Sequence, residues 1–192
     1  MDVKSHQPSL LLLFALTSTV MASGLVYGWP ALRKNILEEG SELDEKQLGV
    51  VFTVGAWSSQ GGRFCAGLAR DRIGTRMTAC ICSFCATVGV ACLAFGNAND
   101  VFLLAVSLFL LGLGSGVLLC VQPVASLFPK NSHNVIFLLT GAFLLSGLMF
   151  LAITSISSAL GTKRKRVLLG FSAILAVVTV LSFFLFFEMY IF

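Results

Sequence analysis

The sequence predicts an all-α, polytopic membrane protein with six transmembrane helices, forming a single domain over residues 1–192. Three observations carry this expectation. Hydrophobic residues make up 57% of the 192 and charged residues only 11%, whereas a soluble domain is nearer half apolar and about a quarter charged. The apolar residues gather into long runs near 9–30, 45–68, 77–96, 101–121, 135–160 and 167–187, each close to the ~20 residues a helix needs to cross the hydrocarbon core. Polar and charged residues collect in short segments between these runs, which leaves no length for a soluble domain.

The first run follows Lys4 and His6 and opens on a strongly apolar stretch at 10–16. Ala22 and Ser23 resemble the small residues of a signal-peptide cleavage site, but apolar character continues to Trp29, long enough to span. A retained first helix is expected. Residues 31–46 read as a polar loop, with Ser41, Asp44 and Glu45 as a helix-start signal for the second run. Asn97 to Asp100 form a tight polar turn between the third and fourth runs, and Gln122-Pro123 stops the fourth. Residues 129–134 are a further polar turn, and 161–166 a short basic loop before the sixth run. Gly24 and Gly28, and likewise Gly112 and Gly116, stand four apart within their runs. That spacing places small residues on one helix face and lets neighbouring backbones approach.

Net charge is +4, but the cations sit in short inter-helix segments, the ordinary pattern of membrane loops. Nucleic acid is therefore not an expected partner. The six cysteines fall inside apolar runs and read as packing residues. Cys80, Cys82 and Cys85 form a CxCxxC, yet a metal or redox site there needs further ligands and an aqueous approach. No metal, cofactor or catalytic residue is expected. The two histidines, His6 and His133, lie near loops, and no intramembrane Asp/His pair exists, so the chain does not read as an enzyme.

The segment between the second and third runs reads Gly67-Leu68-Ala69-Arg70-Asp71-Arg72-Ile73-Gly74-Thr75-Arg76. Gly67 permits a close helix approach, and Gly74 permits a tight reversal. Asp71 suits the positive N-terminus of another helix, and the arginines are surface cations. This order resembles the G-x-L-A-D-R-x-G-R signature of the major facilitator superfamily. It matches at Gly67, Asp71, Arg72 and Gly74, departs at Ala69, Arg70 and Thr75, and carries the last arginine one residue late, at Arg76. Residues 26–32 (Val-Tyr-Gly-Trp-Pro-Ala-Leu), 37–40 (Leu-Glu-Glu-Gly) and 55–63 (Gly-Ala-Trp-Ser-Ser-Gln-Gly-Gly-Arg) are similar to the first and second helices of system-L-type facilitated amino-acid transporters within that superfamily.

The resemblance implies half of a major-facilitator fold, two inverted three-helix repeats, where the complete architecture has twelve helices. Ile73-Gly74-Thr75-Arg76 and Leu160-Gly161-Thr162-Lys163 resemble each other and fall at equivalent places in such repeats. It also implies a conformational gate formed by Gly67, Asp71, Arg72, Gly74 and Arg76, whose Asp71 engages a helix of a second half. Function would be transport of a small organic solute, amino acids foremost, by alternating access. The implied partners are the lipid bilayer, the solute, and a homodimer mate or a second six-helix half. The alternative is a non-transporting, truncated or regulatory six-helix subunit that pairs with a full-length transporter.

The family orientation places the N-terminus and the signature segment in the cytoplasm. Lys/Arg counts oppose it, because 31–46 and 161–166 together are more basic than the segments assigned inside. The signature is the more specific observation, and its orientation is kept. Polar residues within spans tend to face the bundle interior or a cavity. The substrate-path candidates are Ser23 and Tyr27 on one face of the first helix, Trp57 and Gln60 with Thr53 on the second, and Ser115 and Gln122 on the fourth. Arg63 is expected to snorkel to the membrane interface.

Overall fold

The computed structural model describes residues 7–38, 40–97, 99–159, 161 and 164–188, and these contain helices and turns but no strand. The chain folds into six rods. The first is bent: α1 (Gln7–Ala22) gives way at Ser23-Gly24 to a 3₁₀ turn (Leu25–Gly28) and then α2 (Trp29–Glu38), a 46° change of direction. The second is α3 (Glu45–Ile73) and the third α4 (Thr75–Phe95). The fourth comprises α5 (Val101–Gly114), α6 (Val117–Val121) and a 3₁₀ turn (Gln122–Leu127). The fifth is again bent, by 42°, where α7 (Ser132–Ser146) meets α8 (Met149–Ala159). The sixth is α9 (Arg164–Glu188).

Three rods, the third, fourth and sixth, are long and apolar enough to cross a membrane, and five are if each bent pair counts as one span. The second rod is the exception to the six-span expectation. At 29 residues it is about 44 Å long, but glycines, serines, Gln60 and Arg63 dilute its apolar character. Some of its small residues, Gly55, Ser58, Ser59 and Gly62, are buried against the fourth rod, while Thr53, Trp57, Gln60 and Phe64 stand on an exposed face.

Several sequence-based boundaries need correction. The segment 31–46 is mostly helix, because Pro30 sits in the first turn of α2, where its missing N–H costs nothing. Lys34 reaches Glu38 one turn on at 3.8 Å, and Arg33 ties this end to the start of α3 through Glu45 at 2.7 Å. Asp44, rather than Ser41, caps α3, its N–H donating to the Gln47 Oε1 at 3.1 Å in a capping box. Gln122-Pro123 does not stop the fourth rod; it tightens the helix into a 3₁₀ turn that continues to Leu127. Arg164 to Arg166 open α9 instead of forming a loop, while Thr162 and Lys163 lie outside the described residues. The turn before α5 is as expected, with Asp100 accepting the Leu103 N–H at 3.1 Å.

Packing follows a regular scheme. α1 lies against α7, and α2 against α8, so the first rod pairs with the fifth; α3 lies along α5, pairing the second with the fourth. α4 packs on α5 and, most extensively, on α9. Glycine makes the tight pairs possible. A side chain at Gly24 would meet the Phe143 carbonyl at 2.6 Å, and one at Gly28 the Gly147 carbonyl at 2.7 Å. On the other pair, a side chain at Gly112 would meet the Gly55 carbonyl at 2.8 Å, and one at Gly62 the Leu113 Cα at 2.8 Å. Large apolar side chains such as Leu13, Phe102, Phe137, Leu144 and Phe184 stand on the outside, an apolar exterior far beyond what a monomer in water presents.

Candidate functional site

The signature-like segment is not a loop. Gly67 to Ile73 form the last two turns of α3, and Gly74 alone breaks the helix before α4 begins at Thr75. Gly74 has φ 86° and ψ 160°, a conformation that only glycine adopts without strain. Gly161, its counterpart between the fifth and sixth rods, also has positive φ, 57°. Gly67 does not supply the close approach expected of it: a side chain there would meet only Leu119, at 3.9 Å.

The charged residues of the segment divide into two groups. Arg70 turns inward, donating from Nη1 to the Leu119 carbonyl at 3.1 Å, and so fastens the end of the second rod to the fourth. The Arg76 guanidinium lies 3.6 Å over the Phe183 ring of α9. Asp71 and Arg72 are exposed, and Asp71 pairs with the adjacent Arg70 at 3.4 Å. A shallow depression runs between Arg70, Asp71, Arg72 and Arg76.

The path candidates fare differently. Ser23 and Tyr27 do not share a face, because the helix breaks between them: Ser23 is buried with no partner for its hydroxyl, while Tyr27 is 42% exposed. Trp57 and Gln60 do share an exposed face of α3 with Thr53. A groove of about 540 Å³ lies beside that face, between α3 and α5, lined by Thr53, Trp57, Cys65, Phe109 and Leu113. Ser115 is buried and donates to the Ser59 carbonyl at 2.8 Å, which makes it a pin between the second and fourth rods. Gln122 is half-buried, at the head of the 3₁₀ turn beyond it. The candidates therefore do not converge on one cavity within this chain.

Both breaks in the bent rods meet each other. The Gly24 N–H, left without a helical acceptor, donates to the Ser146 hydroxyl at 2.8 Å, one residue before the break of the fifth rod. Beside this junction stands a cluster that sequence reasoning missed. The Arg63 guanidinium does not snorkel outward; it lies 4.4 Å over the Phe143 ring, which in turn meets the Tyr27 ring edge-on at 5.7 Å. Three rods thus contribute to one site. The available signal was an arginine inside an apolar run, which ordinarily marks a functional position.

Cys82 and Cys120 are buried, Cys65 is exposed on the groove, and all six cysteines are free thiols. Among the described residues no three His, Cys, Asp or Glu side chains converge as a metal site would require. Comparison with protein-family models and with curated proteins gave no match for this chain. Fold and surface together define an all-helical protein of several long apolar rods, compatible with a multi-pass membrane protein.

Proposed function

We propose that the chain forms one six-helix half of a membrane transporter that moves a small organic solute, amino acids foremost, by alternating access. The observation that carries the reading is the exchange symmetry of the packing. If rods one to three are one repeat and four to six another, the first helix of each repeat lies on the second helix of the other, and the two third helices pair. Each first helix makes its contact through a glycine pair four apart, Gly24/Gly28 and Gly112/Gly116, and each repeat passes from its second to its third helix through a positive-φ glycine. Two three-helix repeats of opposite topology generate this pattern, and solute sites in such folds lie at the repeat interface near the bilayer midplane.

In this reading Asp71 and the arginines around it form the gate, and a second six-helix unit, another copy or a separate half, covers the exposed face of Trp57 and Gln60. The bent rods then supply the two packed arrangements on which alternating access depends. The test is uptake of L-leucine and L-phenylalanine into liposomes containing the purified chain, with the oligomeric state fixed by cross-linking. Saturable uptake by the assembled species supports the reading. Absence of uptake by any species, together with altered leucine transport when the chain is co-expressed with a twelve-helix carrier, favours the regulatory subunit instead.

A further inference from the structure

Arg63 carries an unmet demand. It stands ten residues from the C-terminal end of α3 and eighteen from its start, about 15 Å and 27 Å along the axis at the helical rise. Its Nε and Nη2 are shielded from solvent and have no hydrogen-bond partner. The Phe143 ring supplies a cation–π contact, which leaves the directional donors of the fork unused. Among the described residues no acid is placed to answer it: Glu38, Glu42, Asp44, Glu45, Asp71, Asp100 and Glu188 stand at rod ends or in connecting segments. A desolvated cation without a counter-charge is costly, and such a group inside a span marks a site whose partner arrives from elsewhere. The residue is half-buried, not sealed, and lies beside the exposed Tyr27 and the junction of the two bent rods.

We infer that Arg63 is the anchor for a carboxylate of the carried solute, held by the guanidinium fork above Phe143 and next to Tyr27. This rests on the transporter reading and narrows it to carboxylate-bearing substrates. Guanidinium matches carboxylate geometry with two parallel N–H···O bonds. Phe143 and the half-exposed Tyr27 ring against it offer apolar surface to the rest of the molecule. Binding would neutralise the one cation set deep in the second rod and draw the second, first and fifth rods together around the ligand. A ligand that ties three rods, two of them bent, binds one arrangement of the bundle better than another, as a transport cycle requires.

The experiment is equilibrium dialysis of the purified full chain in phosphatidylcholine nanodiscs against labelled L-leucine, 4-methylpentanoate (leucine without its ammonium) and leucinamide (leucine without its carboxylate). Leucine and 4-methylpentanoate should bind and leucinamide should not. Arg63→Gln should weaken the carboxylates roughly 10- to 100-fold, the size of losing hydrogen bonds to a charged group. Arg63→Lys, which keeps the charge and loses the fork, should fall between. Equal binding of leucine and 4-methylpentanoate, both abolished by Arg63→Gln, would uphold the anchor while removing amino acids as the favoured substrate. Absence of carboxylate binding to the wild-type chain overturns the inference, as does binding that Arg63→Gln leaves unchanged or leucinamide binding as tight as leucine. If Arg63→Gln fails to give monodisperse protein, undiminished binding by Arg63→Lys overturns it. Arg63-dependent retention of phosphatidylglycerol without carboxylate binding would assign the guanidinium to a lipid phosphate, again against the inference.

Discussion

Gly112→Ala isolates the contact between the second and fourth rods. The added methyl would fall on the Ser58 hydroxyl and 2.8 Å from the Gly55 carbonyl oxygen, about 0.6 Å inside ordinary van der Waals contact. The serine can change rotamer, but the carbonyl belongs to helical backbone, so the rods must separate. Overpacking of this kind costs about 1–3 kcal/mol, and replacing a helical glycine by alanine returns about 0.5–1 kcal/mol. The expected net loss is about 1–2 kcal/mol. Gly67→Ala is the matched control: the same substitution in the same helix pair, with only Leu119 at 3.9 Å to meet it, should be neutral or stabilising by up to about 0.5–1 kcal/mol. Gly62→Ala presses on the same gap, against the Leu113 Cα and the Gly112 carbonyl, so the Gly62/Gly112 double variant should lose less than the sum of the singles. Denaturant unfolding in mild detergent, followed by tryptophan fluorescence, measures all four proteins. A Gly112→Ala chain as stable as wild type, or a Gly67→Ala chain less stable than Gly112→Ala, would refute the packing scheme.

Three further outcomes are expected. Gly74→Ala forces a side chain into a backbone region reserved for glycine and should cost about 1–3 kcal/mol, read by the same unfolding assay; an unchanged midpoint would show that the α3–α4 junction adopts another conformation. Asp100→Ala removes the cap accepted from Leu103 and should cost about 1 kcal/mol, with Asp100→Asn recovering most of it. Maleimide labelling of the native protein in detergent, mapped by mass spectrometry, should modify Cys65 first and Cys82 and Cys120 only after denaturation; equal rates at Cys65 and Cys82 would contradict the packing of α4 against α6.

Local rules made much of this fold legible. Six apolar runs correspond to six helical rods, though the second lacks the apolar character of a span; Glu45 began the second as its preceding acid suggested, and the polar turn ending at Asp100 preceded the fourth. What stayed hidden depends on tertiary contacts. The break at Ser23-Gly24, ahead of the helix-interrupting Pro30, is fastened to the break at Gly147 by one bond from the Gly24 N–H to the Ser146 hydroxyl, a contact between rods that no local pattern announces. The segment 67–73 is crowded with charge and reads as a loop, yet it is helical because Arg70 finds a carbonyl on the fourth rod and because arginine is a good helix former. Ser115, placed on a substrate path by polarity, proved to be a packing pin, since a buried hydroxyl within reach of a neighbouring carbonyl satisfies itself there. Arg63 was assigned outward on the general habit of long cations, and its inward position over Phe143 became visible only once the fifth rod was in place.

Six crossings require the second rod to span the membrane, although that helix does not pass on apolar character alone. The sequence has no Asn-x-Ser/Thr acceptor, so single sites can be introduced on short flexible inserts and scored by glycosylation in a eukaryotic host. Inserts beside Glu42, Asn99 and Gly161 should be modified, and inserts beside Asp71 and Lys130 should not. Modification at both Glu42 and Asp71, or at neither, would place the two ends of α3 on one side of the membrane and contradict the two-repeat arrangement.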